Sequence, residues 1–283
     1  MQLNSSNYFS QEASQEYLSV SQYKDFCGTH GKIGCEAYAM AKINGDWIEK
    51  TEDSVALMVG AYVDAHYEGT LDLFKAQHPE IFLKTGKNAG QLKSEYRKAE
   101  EIIQRCEQDK LFSAYMAGEK QVIMTAEMFG AQWKIKIDSY HPGKCIVDLK
   151  VMKSIRDSFW VRDSGYLNFI EYWGYDLQGA VYQQVEYLNQ LAKCSTEEEK
   201  TQCKKLPFFI AVASKEKETD IEIIHVPQSR LDEKLAEVEA NTRNIIALKN
   251  GDYEPVRCGF CDYCKHTKVL QSPIAMDQLL GEI

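Results

Sequence analysis

The stretch WKIKIDSYHPGKCIVDLKV (133–151) alternates apolar and polar residues on both sides of a turn, which predicts two β-strands joined as a hairpin. His-Pro-Gly-Lys at 141–144 supplies the residues of the turn. Because successive side chains of a strand project to opposite faces, Asp148 and Lys150 lie on the same face of the second strand. If the turn has an odd length centred on its glycine, Asp138 lies directly opposite Asp148. The stretch therefore predicts two carboxylates and one ammonium group on a single patch.

Such a patch can support the hydrolysis of phosphodiesters. Two neighbouring carboxylates repel each other, and a divalent cation relieves the repulsion while it keeps coordination sites for water and a phosphate oxygen. The lysine can polarise the attacking water or neutralise charge that builds up on the phosphorane. Because Asp-x-Lys also occurs on ordinary surface hairpins, the catalytic and the purely structural interpretations both stay open on the hairpin alone.

The rest of the sequence predicts helices around further strands. Helical patterns cover about 17–43, 52–76, 89–108, 171–194 and 229–250, the last ending near Asn250-Gly251. Strand patterns cover about 120–126, 132–138, 145–151, PFFIAVASKE and IEIIHVP. The charged stretch 193–205 is predicted as a surface helix or loop. This order predicts an α/β fold in which helices flank a central mixed β-sheet.

Three further segments carry a recognisable pattern together with the hairpin. They are YLSVSQYKDF (17–26) followed by Cys-Glu-Ala (35–37), then ALMVGAYVDAHYEG (56–69), and QGAVY (178–182) after the hairpin. In this order, over nearly the full length, they resemble the PD-(D/E)XK nuclease superfamily and, within it, the phage and prophage exonucleases related to exonuclease VIII and to RecB-type enzymes. The resemblance implies a restriction-endonuclease-like core. It also fits one nuclease domain over 1–283, with N-terminal helices and a Cys-rich segment (252–270) that closes onto the core.

The resemblance implies a set of metal ligands. Asp64, Asp138 and Asp148 would bind Mg²⁺ or Mn²⁺ together with the main-chain carbonyl of Leu149. RecB-type enzymes commonly have a histidine where this chain has Asp64, and Asp is also a competent ligand for these hard cations. His66 lies two residues on, and therefore on another face of the helix, so Asp64 is the favoured third carboxylate.

The same resemblance assigns the remaining catalytic side chains and the substrate. Lys150 would position or activate water, and Gln178 and Tyr182, which share a helix face, would hold the substrate. The substrate would be linear double-stranded DNA, digested from 5′ ends to leave single strand for an annealing protein, and the enzyme would assemble as a homo-oligomer. Two alternatives stay open. They are a structure-specific or restriction-like endonuclease on the same core, and a non-catalytic DNA-binding scaffold.

Cysteines form a second cluster near the end of the sequence. Cys258, Cys261 and Cys264 have the two-residue spacing of metal-binding thiolates, and both Zn²⁺ and an iron–sulfur cluster require a fourth ligand. RecB-type relatives that carry an iron–sulfur cluster imply Cys35 as that ligand, with Cys27 as the alternative. On this resemblance a 4Fe-4S cluster is favoured over structural zinc. Four other cysteines are isolated in the sequence and are interpreted as ordinary thiols: Cys106, Cys145, Cys194 and Cys203.

Composition limits the kind of nucleic-acid binding. A net charge of −9 over 283 residues argues against a protein that coats DNA by bulk electrostatics, but a nuclease needs only a local basic groove. The best candidate is the Lys- and Arg-rich segment 83–105, which also reads as an ordinary solvated helix. No stretch of about twenty apolar residues and no signal-peptide pattern occurs, so we expect a cytoplasmic protein of a bacterial or phage-infected cell.

Overall fold

The computed structural model of the protein describes residues 1–48 and 55–276, and its centre is a five-stranded mixed β-sheet. The described residues form the strands β1 (Glu119–Met128), β2 (Ala131–His141), β3 (Cys145–Met152), β4 (Phe159–Val161), β5 (Gly165–Leu167), β6 (Phe208–Ser214) and β7 (Ile221–Val226). The first helices are α1 (Gln11–Glu16), α2 (Val20–Cys27), α3 (Glu36–Asn44), α4 (Val55–Glu68), α5 (Leu71–Gln77), α6 (Ser94–Gln108) and α7 (Lys110–Tyr115), with a 3₁₀ turn at Pro79–Ile81 after α5. The later helices are α8 (Phe169–Trp173), α9 (Tyr175–Lys193), α10 (Glu197–Gln202), α11 (Gln228–Asn250) and α12 (Asp262–His266).

The sheet has the strand order β1-β2-β3-β6-β7. The first three strands form an antiparallel meander, β3 pairs in parallel with β6, and β6 pairs antiparallel with β7. A parallel connection needs a crossover, and the chain between β3 and β6 supplies it through α8 and α9. The mixed sheet with flanking helices confirms the predicted fold class.

Two hydrophobic cores cover the two faces of the sheet. On one face Trp133, Ile135 and Ile137 of β2 pack with buried residues of α2, α9 and α11. On the other face Val147 and Leu149 of β3 pack with buried residues of α4, α6 and α7. Full burial of each of these large apolar side chains contributes about 1.5–3 kcal/mol, so the two cores together hold the central strands rigidly in place.

Glycines divide three of the predicted helices, because a positive φ ends an α-helix at little cost only at glycine. The pattern at 17–43 is two helices, separated by a loop in which Gly28 has φ 78° and a Cβ on Gly34 would lie 2.5 Å from backbone atoms. The pattern at 171–194 is interrupted at Gly174 (φ 64°), and the pattern at 52–76 at Gly69 (φ 75°). Residues 52–54 of that last prediction lie outside the described residues.

The sequence patterns also missed several short elements, namely α1, α7, α12 and the β4–β5 hairpin. Each of these helices and single strands spans three to six residues, which is too short for a helical or strand period to be recognised. None of the helices in the described part of the chain combines the length and apolar character of a membrane span.

Gly179 of α9 provides a test of the packing between the crossover helix and the sheet. A Cβ at this position would lie 2.5 Å from the ring of Phe208 and 3.0 Å from Leu231. We expect Gly179→Ala to lower the free energy of unfolding by about 1–3 kcal/mol through overpacking. Gly60→Ala on α4, where a Cβ has no heavy atom within 4 Å, is the matched control and should be neutral or stabilising by up to about 1 kcal/mol. Urea denaturation measures both, and equal effects would contradict the packing.

Candidate active site

The hairpin of β2 and β3 has the register that the sequence predicts. His141 pairs with Cys145 and Ser139 pairs with Val147, so the turn is centred on Gly143, which has φ 69°. The ladder ends at the Ser139–Val147 pair, one step before the two aspartates meet. β3 continues in parallel beside β6 from this point.

Because the β2–β3 ladder ends at Val147, the N–H of Leu149 forms its hydrogen bond with a side chain. This N–H donates to Asp138 Oδ2 at 2.8 Å, and Gln121 Nε2 donates to the other carboxylate oxygen at 3.4 Å. Asp138 is therefore held by a main-chain bond next to the strand that carries Asp148.

One cavity of about 300 Å³ collects side chains from α2, α4, β2, β3 and α9. All seven residues that were predicted for catalysis or for the divalent metal line it: Asp64, Asp138, Asp148, Leu149, Lys150, Gln178 and Tyr182. Because α2 and α9 pack on one face of the sheet and α4 on the other, residues far apart in sequence meet at the point where β2 and β3 separate.

Asp148 is the most buried carboxylate of the cavity and has two close partners. Gln178 Nε2 donates to Asp148 Oδ1 at 2.6 Å, and Lys150 Nζ forms an ion pair with Oδ2 at 2.6 Å. Among the described residues no donor makes a well-aligned hydrogen bond to Oδ2, so the ion pair is its compensation. Gln178 thus contacts a carboxylate directly, whereas it had been predicted to hold the substrate.

The charged forms of the other two carboxyl groups, Asp64 and Asp138, are destabilised. Desolvation and then the charge of Asp138 raise the pKa of Asp64 to about 8. Desolvation and then the charge of Asp148 raise the pKa of Asp138 to about 7. A carboxyl group in a poorly solvated, like-charged site keeps its proton until a cation compensates the charge.

Two lysines that line the cavity both lie close to the ring of Tyr175. The ammonium groups of Lys150 and Lys24 lie 4.9 Å and 5.2 Å from the ring centre. Burial opposes the charge of Lys150, but the charges of Asp148 and Asp138 outweigh it and raise its pKa. Burial and the charge of Lys150 lower the pKa of Lys24 to about 7, and Lys24 Nζ donates to Trp173 O at 2.9 Å.

Sequence reasoning missed several residues that line this cavity: Tyr8, Phe9, Ser19, Ser21, Lys24, Lys134 and Lys136. The serines and Lys24 lie within the quoted segment 17–26, so that segment marked the right helix without assigning roles. Lys134 and Lys136 share a strand face with Asp138, and the period of two could have found them. No sequence signal marked Tyr8 or Phe9.

The structure also shows where His66, Tyr182 and the basic segment 83–105 lie. His66 Nε2 lies 2.8 Å from Glu107 Oε1 and is absent from the cavity lining, as expected from its helix face. The ring of Tyr182 packs edge-on against Phe208 at 6.4 Å, and burial raises its pKa well above the usual value. The basic segment 83–105 lies mainly on α6, and none of its lysines or arginines lines the cavity.

The four predicted cysteines meet at a second site. Cys35, Cys258, Cys261 and Cys264 have sulfur atoms that all lie within 4.8 Å of one another, with Cys35–Cys264 at 3.6 Å and Cys258–Cys264 at 3.9 Å. Four sulfurs at about 2.3 Å from one Zn²⁺ have mutual distances of about 3.8 Å. In a four-iron cluster the irons and sulfides lie between the cysteines and hold their sulfurs farther apart. The separations therefore fit one tetrahedral ion, while the 4Fe-4S cluster stays a prediction.

Main-chain donors surround these thiols. The N–H groups of Phe260 and Cys261 donate to Cys258 Sγ at 3.4 and 3.3 Å, and that of Cys264 donates to Cys261 Sγ at 3.4 Å. Desolvation opposes ionisation of Cys258, but these N–H groups lower its pKa to about 7. The thiolate form that metal binding requires is thus favoured at Cys258, whereas desolvation raises the pKa of Cys35 and raises that of Cys261 to about 12.

The ligand atoms of the cysteine group lie closer together than those of the carboxylates. In the part of the chain that the structure describes, it is the one set of three or more Cys, His, Asp or Glu side chains whose ligand atoms all lie within 4.8 Å of one another. The three carboxylates line one cavity at wider spacing.

Two of the cysteines that were interpreted as isolated are neighbours in the fold. The sulfur atoms of Cys194 and Cys203 lie 3.3 Å apart, at the ends of α9 and α10. Helix α10 turns the chain back on itself, which no spacing rule indicates.

Comparison with known proteins agrees with this geometry. Residues 19–267 match the family described as "PDDEXK-like domain of unknown function (DUF3799)". The chain belongs to this family. A crystal structure from Eubacterium rectale described as "Putative exonuclease" is 54% identical to it, covers 100% of both chains and superposes with a TM-score of 0.91. A search of curated proteins gave no significant match. The predicted PD-(D/E)XK superfamily is confirmed, while the narrower exonuclease VIII-like assignment stays a prediction.

The side chains fit the divalent metal that PDDEXK-like nucleases usually use. Asp148 Oδ2 is buried without an aligned donor, and desolvation followed by the charge of a neighbouring carboxylate raises the pKa values of Asp64 and Asp138. Mg²⁺ and Mn²⁺ favour carboxylate and carbonyl oxygens, which is the donor set of this cavity.

Asp64→Asn tests the electrostatics of this PDDEXK-like site without a nuclease assay. The unfolded Asp has a pKa near 3.9 and the folded one about 8, so the native state binds the extra proton and wild-type stability falls as pH rises from about 4 to 8. We expect the metal-free variant to be more stable than wild type by at least about 1 kcal/mol at pH 8 and equal to it near pH 4. Thermal melting across this range measures the difference. A variant that is less stable at every pH would contradict the assignment.

The cysteine site is tested by metal analysis. We expect the protein to carry about one equivalent of zinc and no visible absorption, and Cys35→Ser to lose the metal and melt at lower temperature. Cys27→Ser is the matched control, because Cys27 is exposed and lies outside the group. Iron with sulfide in place of zinc, or retention of the metal by Cys35→Ser, would show that the sulfur geometry was misinterpreted.

Proposed function

We propose that the protein is a Mg²⁺- or Mn²⁺-dependent deoxyribonuclease that degrades linear double-stranded DNA from its ends. The observation that supports this most directly is the convergence of Asp64, Asp138, Asp148 and Lys150 from three elements in one cavity. Family membership and the relative described as "Putative exonuclease" support a nuclease. We further propose digestion from 5′ ends, which would leave single strand for an annealing protein, and assembly of the enzyme as a homo-oligomer.

The carboxylates have the role of holding the cation. Asp64, Asp138, Asp148 and the carbonyl of Leu149 would bind it, and when bound it supplies charge for the scissile phosphate and a more acidic water. The N–H bond from Leu149 keeps Asp138 in place, and the amide of Gln178 orients Asp148. Gln178 is therefore a positioning residue in this proposal.

Lys150 stabilises charge and does not act as a base. Its ion pair with Asp148 keeps it protonated, so its ammonium group faces the cavity as a cation. A preorganised cation in a site shielded from water stabilises the additional negative charge of the phosphorane. Tyr182, which lines the same cavity, would contact the substrate beside it.

We also propose that the four cysteines hold a structural Zn²⁺. The ion would join α3, near the start of the chain, to the segment at 258–264. Backbone bonds already link these parts, because Ala37 N donates to Val256 O at 3.1 Å and Val256 N donates to Glu36 at 2.8 Å. A site of this kind contributes its binding free energy to folding.

Digestion of labelled DNA tests the activity. Linear duplex labelled at one 5′ end or at one 3′ end is incubated with Mg²⁺ or Mn²⁺ and wild type, Lys150→Ala or Lys215→Ala. We expect rapid release of the 5′ label by wild type and a loss of about a hundredfold or more in Lys150→Ala. Lys215→Ala is the matched control, because Lys215 donates to Ala56 O at 3.2 Å and does not line the cavity.

Other outcomes of this assay lead to different conclusions. No cleavage by wild type would contradict a nuclease and leave a binding scaffold. Closed circular DNA is incubated in parallel, and its cleavage at the same rate as the linear duplex would indicate an endonuclease. Equal rates for wild type and Lys150→Ala would place the activity elsewhere or in a contaminating enzyme.

A further inference from the structure

Phe9 is an exposed aromatic residue at the wall of the candidate active site. Its side chain is 76% exposed, although large apolar residues are usually buried. It lines the cavity that contains Asp148 and Lys150 and also the neighbouring one that Asp64 and Asp138 share with α5. The ring therefore borders both cavities and is in contact with solvent.

The backbone around Phe9 is fixed by buried contacts. Lys134, almost fully buried, donates from Nζ to Tyr8 O at 2.6 Å, and its ammonium group lies 4.9 Å from the Tyr8 ring centre. Tyr8 is buried and meets Phe9 edge-on, with ring centres 4.9 Å apart. Ser10, the next residue, caps helix α1. The exposed ring is therefore held in a defined position by the structure behind it.

A cation accompanies the ring. Lys136 Nζ lies 5.2 Å from the centre of the Phe9 ring and 3.8 Å from Glu68 Oε1. Lys136 is two residues before Asp138 on β2, so the two side chains share a face, and both line the cavities. An aromatic surface and an ammonium group thus stand together beside the carboxylates.

We propose that Phe9 is a stacking platform for an unpaired base of the DNA strand that is being cleaved, and that Lys136 contacts a phosphate of the same strand. This inference rests on the proposed nuclease function, because it takes the scissile phosphate to lie at the carboxylates. Aromatic side chains bind bases of any sequence through their faces, and lysine provides a point charge for the backbone. Such a platform would hold the terminal nucleotide apart from its complement, which suits an enzyme that acts on strand ends.

We expect the Phe9 ring and the Lys136 ammonium group to affect DNA binding in two different ways. Loss of stacking on one base is worth roughly tenfold in affinity and does not depend on salt. Loss of one phosphate contact lowers the slope of log K against log salt concentration by about one. We therefore expect Phe9→Ala to weaken binding with an unchanged slope and Lys136→Met to reduce the slope.

The experiment uses a linear duplex with an unpaired 2-aminopurine at its 5′ end, whose fluorescence is quenched by stacking. Binding is followed in the Lys150→Ala background, with and without Phe9→Ala, Phe9→Leu or Phe9→Trp. Steady-state cleavage is measured for the single variants at Phe9. Leu111→Ala, which truncates an exposed apolar residue on α7 outside both cavities, is the matched control. Thermal melting confirms that each variant is folded.

We expect Phe9→Ala and Phe9→Leu to lose the quenching and to raise KM about tenfold at nearly constant kcat, while Phe9→Trp and Leu111→Ala behave as wild type. Normal quenching in Phe9→Ala, or full rescue by Phe9→Leu, would overturn the stacking role. If wild type cleaves DNA and Phe9→Ala is unaffected, this inference fails and the proposed function stands. If wild type does not cleave, the proposed function fails, and quenching lost in Phe9→Ala would still support the platform.

Discussion

The hydrogen bond from the main chain of Leu149 to Asp138 is the constraint on which the site depends. β3 is paired with β6 from Ile146 to Met152, but with β2 only as far as Val147. The next buried N–H on that side would otherwise lack a partner, at a cost of about 1–3 kcal/mol. The Asp138 carboxylate supplies the acceptor, so the pairing of β2 with β3 can end here without leaving this group unpaired. The gap that opens receives Asp148 and Lys150 on one strand and α4 with Asp64 beside it.

The carboxylates would not stay together without the cores behind them. Poor solvation and then mutual repulsion raise the pKa values of Asp64 and Asp138, which means that the metal-free fold bears a local electrostatic cost. The two hydrophobic cores hold α4, β2 and β3 regardless of that cost, since Val147, Leu149 and the apolar face of β2 are almost completely buried. The stability of this region therefore comes from the two hydrophobic cores. The carboxylates of the cavity are left in a position where a bound cation would be favourable.

The sequence allowed the hairpin to be derived, because its register and faces follow from a period of two and a glycine turn. It did not determine where α9 would lie, so the Gln178–Asp148 contact could not be foreseen, and Asp64 was reached only by resemblance. Gly174 was read through as helix, although its left-handed conformation separates α8 from α9. Phe9 gave no signal because its position depends on the contact of its neighbour Tyr8 with Lys134, which is 126 residues away from Tyr8 in the sequence. The choice of metal at the cysteines depends on sulfur–sulfur distances, which spacing along the chain does not give.

The cysteine group also supports the wall of the cavity. Cys35 N donates to Asp25 O at 2.8 Å, so the loop that carries this thiol is bonded to the end of α2. Asp25 is buried and forms ion pairs with Lys32 and, at 3.0 Å, with Lys42 of α3. Lys24, the preceding residue on α2, reaches into the carboxylate cavity. A metal at the cysteines would therefore fix α3 and, through it, the helix that lines the active site. The four thiols and the three carboxylates are separate sites that depend on the same helix pair.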